Sequence, residues 1–220
     1  MEIPLVPDLS ELFTDYYLCE SCLIVDNDLK RGRHGYKCPR CKNESKGARI
    51  YFDLNVFILL QLMHEYYHLE RSDRDIMRKI KSRSKHNHKL AVIIFFCTLS
   101  EVLLHNFLKQ YMIYNKIPKK IQERLLNDNL YPRQRIEKLF PSLINEKWNA
   151  ALKKISIKSK QNYQDVFDFY LKILHERNDF LHKGNKFNIT DEMITDCMIK
   201  TPEMVNLFVD LHNLYIAKEV

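Results

Sequence analysis

Residues 163–184 read YQDVFDFYLKILHERNDFLHKG, a helix with a stop signal behind it. Val166, Phe169, Tyr170, Ile173 and Leu174 recur at spacings of three and four, the period of a helix with one apolar face. Gly184 follows the last periodic residue, at the position where a left-handed residue ends a helix. Outward from this stretch the same period continues. A strongly apolar helix is expected over Ala91–Asn115, then shorter ones at Lys119–Asp128, Pro132–Phe140 and Asn145–Ile155, punctuated by Pro118, Pro132 and Pro141. A last helix is expected over Pro202–Ala217, with Val205, Phe208, Val209, Leu211 and Leu214 able to pack onto the two long ones. Four glycines and seven prolines in 220 residues are too few for a turn-rich β fold. Residues 90–220 therefore read as a mainly α-helical bundle.

The front of the chain is different. Cys19, Cys22, Cys38 and Cys41 stand as two pairs, each with a gap of two residues, separated by fifteen. That gap lets both thiolates of a pair point at one ion about 2.3 Å away, and two pairs complete a tetrahedron. Zinc suits four soft thiolates with no redox chemistry. Four cysteines leave no position for water, so the expected zinc is structural, one per chain. Gly35 permits a tight approach and Pro39 stiffens the turn between the second pair of ligands. About 30 residues around these cysteines resemble a zinc ribbon, which sets residues 1–50 apart as a small module, and Ile24, Val25, Ile50, Tyr51 and Phe52 are expected to supply its short strands. Lys30, Arg31, Arg33, His34, Lys37, Arg40 and Lys42 decorate it, which suits nucleic acid. Ribbons also dock proteins, and both partners stay open. Cys97 and Cys197 lie in apolar surroundings and read as buried small hydrophobes.

Residues 51–89 read as one helical stretch passing into a basic linker. Leu54, Phe57, Leu60, Leu62, Tyr66 and Leu69 trace an imperfect helical stripe. From Arg71 to Lys89 there are eight Lys or Arg against two Asp, together with His86 and His88, a composition of a connector or of an RNA-contacting stripe. Within the helix, His64-Glu65-Tyr66-Tyr67-His68 has the H-E-x-x-H spacing of zinc peptidases. Its context argues against that chemistry: Glu70 stands where an apolar residue is wanted, and no third ligand follows at a recognisable distance.

The composition, 45% hydrophobic and 29% charged, is that of a soluble globular chain. The net charge of +7 is compatible with a polyanionic partner. The start, MEIPLVPDLSELF, lacks the basic and apolar segments of a secretory signal. The longest apolar run, Leu90–Leu99, is too short to span a bilayer. A cytoplasmic protein is expected, and in that reducing compartment paired cysteines imply metal rather than disulfides.

Near the end, Arg177 and His182 are five apart, with Asn178 directly after the arginine. Arg83 and His88 repeat the spacing, so it carries nothing by itself. Context does: the pair closes a long amphipathic helix, and a separate apolar helix upstream holds a lone acid, Glu101. This combination resembles the HEPN superfamily of helical nucleases, over about residues 90–220. The resemblance implies metal-independent RNA cleavage by a homodimer, in a toxin or antiviral effector restrained by an antitoxin or regulatory protein. It assigns His182 to proton transfer, Arg177 to the transition-state phosphate, Asn178 to orientation and Glu101 to an ion pair with Arg177. The chemistry suits the residues. Imidazole titrates near working pH, and a fixed guanidinium can stabilise the extra charge of a phosphorane-like transition state. Alternatively, Arg177 pairs with its neighbours Glu176 or Asp179 and His182 caps a helix end, leaving a non-catalytic module that binds nucleic acid or protein.

Overall fold

The computed structural model describes residues 6–9, 12, 16–27, 30–32, 35–45, 49–79, 88–183 and 189–218. Arg33, His34, Arg83, His86 and Gly184, singled out above, lie outside them.

Helix α2 (His88–Tyr114, 27 residues) is apolar almost all round, and such a helix has to be buried on most sides. It is long and apolar enough to cross a membrane by length and composition alone. In the fold that apolarity is used internally: Val92, Ile93, Phe96, Leu99, Leu103, Phe107, Leu108 and Met112 are all buried. Four helices pack on it, α1 (Leu54–Lys79), α3 (Lys119–Asp128), α7 (Tyr163–Lys183) and α8 (Asp191–Tyr215). Between α2 and α7 the chain forms α3 (Lys119–Asp128), α4 (Pro132–Gln134), a π-helical turn (Arg135–Leu139), α5 (Phe140–Ile144) and α6 (Trp148–Ser159). The protein is mainly helical, with all the short strands among the described residues lying before α1.

Two expectations are corrected. The buried stripe of α1 is Val56, Leu60, Met63, Tyr67 and Glu70; of the stripe read from hydrophobicity it keeps Leu60 and otherwise lies one residue away, while Leu54 and Leu69 are exposed. Polar partners decide this register. The Tyr67 hydroxyl lies 3.3 Å from Thr195 Oγ1, and the Glu70 carboxylate accepts from the backbone N–H of His88 at 3.2 Å. Glu70 thus satisfies an otherwise orphaned donor at the start of α2, where negative charge is favoured. The helix also continues to Lys79 through residues that looked like a connector. The second correction concerns α8, which begins eleven residues before the expected Pro202, capped by Thr190 Oγ1 accepting from Met193 N at 3.1 Å. Pro202 sits inside the helix, where it removes a backbone donor, and the Thr201 hydroxyl bonds back to the Cys197 carbonyl at 2.7 Å.

Ahead of α1 lie two three-stranded antiparallel sheets. One has the order β2 (Val25–Asp26), β1 (Tyr17–Leu18), β6 (Arg49–Ile50); the other has β3 (Lys30–Gly32), β4 (Gly35–Lys37), β5 (Glu44–Ser45). This cysteine-bearing part is docked on the C-terminal half of α8. The Asn213 amide makes two 2.8 Å bonds to the backbone of Val25, Lys218 N donates to Cys22 O at 2.9 Å, and the Tyr16 hydroxyl bonds Asn206. Buried His212 donates from Nε2 to Leu23 O at 2.8 Å, and its Nδ1 is buried without a partner. Burial drives the His212 pKa from 6.5 down to about 4.

This histidine makes stability fall in acid. The unfolded chain takes up the proton first, so stability is fully present above pH 6.5 and falls progressively toward the folded pKa of about 4. The loss approaches about 3 kcal/mol at 1.36 kcal/mol per unit. Thermal melts between pH 7.5 and 5 are expected to show this slope in the wild type and to flatten in His212→Gln, whose amide keeps a donor but does not titrate. An equal slope in both proteins would assign the acid sensitivity elsewhere.

Candidate functional site

The four clustered cysteines sit at the tips of two matching hairpins. The first pair lies between β1 and β2, the second between β4 and β5. Their backbones repeat the same pattern. Cys19 N donates to Ile24 O and Leu23 N to Cys19 O at 2.9 and 2.8 Å; Cys38 N donates to Asn43 O and Lys42 N to Cys38 O at 3.0 and 3.1 Å. In each hairpin the residue after the second cysteine is left-handed: Leu23 has φ 61° and Lys42 has φ 60°. Such a conformation costs a residue with a Cβ about 1–2 kcal/mol, and it is held here by the knuckle itself. Cys19 Sγ and Cys41 Sγ are 3.7 Å apart, as are Cys22 Sγ and Cys38 Sγ, and all four sulfurs lie within 4.8 Å of one another. A tetrahedron with bonds of about 2.3 Å separates its sulfurs by about 3.8 Å. The four thiols fit a metal ion, and they are the one group of three or more potential ligands that does so among the described residues.

The thiols differ in how readily they ionise. Burial opposes ionisation at Cys19, but the backbone N–H groups of Cys22 and Ser21 outweigh it and bring this thiol to about 7. Burial pushes Cys22 up to about 12, reinforced by the other cysteines around it, and raises Cys38 in the same way. One thiolate forms easily and the next are resisted by it, the condition in which a divalent cation replaces the protons.

The left-handed residues give a test of the knuckle. Lys42→Gly and Lys42→Val both lose the contact from Lys42 Nζ to Pro39 O, but only valine is strongly disfavoured at φ 60°. Lys42→Val is expected to release metal to a chelator about tenfold faster than Lys42→Gly, matching a difference of about 1–2 kcal/mol. Equal release rates would show that the knuckle does not hold this strain.

The second site is on the helices. On α7, Val166, Tyr170, Ile173 and Arg177 lie on one stripe, the first three buried. The same register that buries the core brings Arg177 inward. Its Nη2 is 3.0 Å from Glu101 Oε1 on α2, an ion pair without the alignment of a hydrogen bond. Asn178 Oδ1 accepts from Arg177 Nε and Nη2 at 3.2 and 3.1 Å, so the guanidinium is held from two sides. Arg177, Glu101 and Asn178 are therefore brought together. His182 is not among them: it follows Arg177 by about 140° around the helix axis, on the exposed side. That outer side carries Leu171, His175, Asn178 and His182 as a second stripe, with Leu171 and neighbouring Leu181 both exposed.

Two residues join the Glu101 neighbourhood that the sequence had not singled out for it. Arg135, on the π-helical turn, donates from Nε to Asn129 O at 2.9 Å and lies within electrostatic reach of Glu101; burial lowers its pKa and Glu101 counteracts this. Tyr170 points its hydroxyl into the same cluster, buried and without a partner, and burial followed by the charge of Glu101 holds it well above its usual pKa. Two guanidinium groups and one carboxylate act electrostatically here, a net positive charge beside an unused hydroxyl donor. The spacing of seven from Tyr170 to Arg177 was a readable signal; Arg135 had none, because it comes from a different helix.

In α1 the rings of His64 and His68 are 4.3 Å apart, with Asp8 Oδ1 at 3.7 Å from His64 Nδ1 and Glu65 exposed. Burial, then the charges of His64 and Arg71, lower the pKa of His68.

Comparison with protein families, with curated proteins and with solved structures yields no match to this chain.

Proposed function

We propose that this protein is a metal-independent RNA endonuclease, active as a homodimer, with a structural zinc in its four-cysteine module. The observation that carries the reading is the Arg177 guanidinium, fixed by Glu101 and Asn178 at the end of α7, with Arg135 leaving the cluster one positive charge in excess. A preorganised cation of this kind stabilises the charge that develops on a phosphoryl group in flight. His182 supplies the proton chemistry. The ribose 2′-oxygen attacks phosphorus as one imidazole takes its proton, the bond to the 5′-oxygen breaks, and a second imidazole protonates that oxygen. The products are a 2′,3′-cyclic phosphate and a 5′-hydroxyl.

One chain has one such histidine, directed away from its own Arg177. A two-fold contact along the exposed stripe of Leu171, His175 and His182 would set His182 beside the partner's, since an isologous interface juxtaposes the same segment of both copies. The four thiols supply the metal assignment: soft ligands at tetrahedral spacing, with no position left for water, suit a zinc that holds the fold and takes no part in cleavage. By the HEPN resemblance the protein acts as a toxin or antiviral effector with an antitoxin or trigger.

The test is purified protein on RNA in the presence of EDTA. Cleavage that leaves cyclic phosphate ends supports the reading, and 3′-hydroxyl ends or strict dependence on added metal overturns it. A second reading, a non-catalytic nucleic-acid-binding module, is favoured by the divergence of Arg177 and His182 within one chain. It predicts salt-sensitive RNA binding with no turnover at any protein concentration.

A further inference from the structure

Glu101, His105, Lys109 and Ile113 follow one another at intervals of four along α2, a row about 18 Å long that winds away from Arg177. Two clefts open along this row. One, of about 400 Å³, lies between the end of the cysteine module and α2 and is lined by Arg49, Tyr51, Asn106, Lys109 and Gln110 among others. The other, of about 500 Å³, lies between α2 and α3 and is lined by His105, Lys109, Lys119 and Gln122 among others. They share Lys109 and Ile113 and so adjoin, a two-part channel along α2.

Its chemistry is specific. Arg49 and Lys109 form no ion pair with a carboxylate among the described residues, whereas Arg74, Lys89, Arg133 and Lys154 elsewhere on the surface do. The acids of the channel are already engaged: Asp53 accepts from Val56 N and the Asn106 amide, and Glu123 pairs with Lys119 at 3.8 Å. Gln110 Oε1 is buried in the channel floor with no hydrogen-bond partner, an acceptor left for a ligand's donor. His105 senses the cations on both sides: burial, then Arg135, then Lys109 hold its pKa below the usual value. Free cations flanking amide groups match a chain with regularly spaced phosphates and polar base edges.

We infer that this channel binds single-stranded RNA, leading the strand from the Arg177–Glu101 pair along α2 to Arg49 on the cysteine module. Arg49 and Lys109 take phosphates, and Gln110 takes a donor from a base. The inference rests on the nuclease reading for what happens at Arg177, but its binding claim stands separately. The module then has a task beyond holding its own fold, since it forms one wall of the substrate path.

The test uses the metal-loaded full chain and a fluorescent 2′-O-methyl oligoribonucleotide, which cannot be cut through its 2′-oxygen. Polarisation titrations compare Arg49→Glu and Lys109→Glu with Lys153→Glu and Lys158→Glu, the same charge change at exposed sites on α6. Each channel reversal is expected to weaken binding about tenfold or more and to flatten the salt dependence by about one unit of slope; the α6 reversals should do neither. Lys109→Gln, with metal content and circular dichroism checked, gives the same direction with less risk to folding. Equal effects at both sets of sites overturn the channel, as does equal competition by polyaspartate, which would assign it to an acidic protein. If wild-type protein cuts nothing while binding follows the channel, the nuclease reading fails and the channel stands. If cleavage needs Arg177 and His182 but the channel variants bind normally, the reverse holds.

Discussion

Arg177→Ala and His182→Ala are each expected to lower RNA cleavage by about 10²–10⁴-fold, the range for a lost transition-state donor or a lost proton-transfer group. The two losses should differ in kind. Arg177 is held in place before substrate arrives, by Glu101 at 3.0 Å and by Asn178, so its removal strips stabilisation made in the transition state and lowers kcat. Arg177→Lys keeps the charge but loses the planar fork that meets two phosphoryl oxygens, and should recover little. His182 is exposed, so His182→Ala should leave melting unchanged while lowering the rate. Glu101→Gln tests the positioning role: the guanidinium loses its ion-pair partner, and kcat should fall with KM nearly constant. Cleavage measured by the release of cyclic phosphate ends decides these outcomes. Activity that survives both alanine substitutions ends the enzymatic interpretation.

The second large effect is on the fold. Cys38→Ser removes one of four thiols whose mutual spacing suits a single ion. Metal binding in such sites contributes on the order of 10 kcal/mol in isolated modules, so the variant should lose its metal and the hairpins their geometry. The consequence should spread. Cys22 O, Leu23 O and the Val25 backbone are bonded to Lys218, His212 and Asn213, and Leu18, Val25 and Phe52 belong to the same apolar core as α2 and α8. A drop in Tm of about 10 °C or more is expected, corresponding to a few kcal/mol for a chain of this size. The wild type stripped with a strong chelator should melt at the same lowered temperature, and metal analysis should find one ion per chain before stripping and none after. A Cys38→Ser protein that keeps both its ion and its Tm would remove the metal from the account.

How much of this was legible beforehand varies from element to element. Helix α7 was readable because its apolar residues keep a period near 3.6 and α2 because it is one long apolar run, and the four cysteines were readable because a ligand set is written in residue type and spacing. The inward register of α1 was not. Hydrophobicity alone prefers Tyr66 and Leu69 as core residues, but Tyr67 and Glu70 face inward because Thr195 and the amide of His88 are there to meet them. The early start of α8 was masked by Pro202, which reads as a helix boundary and is tolerated inside one.

The candidate site divides along the same line. Arg177, Asn178 and Glu101 could be named from the sequence, since a local motif and a lone acid in an apolar helix stand out from their neighbours. That Arg177 turns to the core while His182 turns to solvent follows from five residues of helix. What closes around that pair does not. Arg135 acts electrostatically with Glu101 from a π-helical turn thirty-four positions later, and Arg49 and Lys109 line one cleft between the cysteine module and α2. By itself, then, the order of residues determined the helical class, the four-cysteine cluster and the arginine–histidine motif, because each depends on neighbours along the chain. Tertiary packing alone decided the docking of the cysteine module, the second arginine and the channel, because those depend on side chains meeting across distances that no local period encodes.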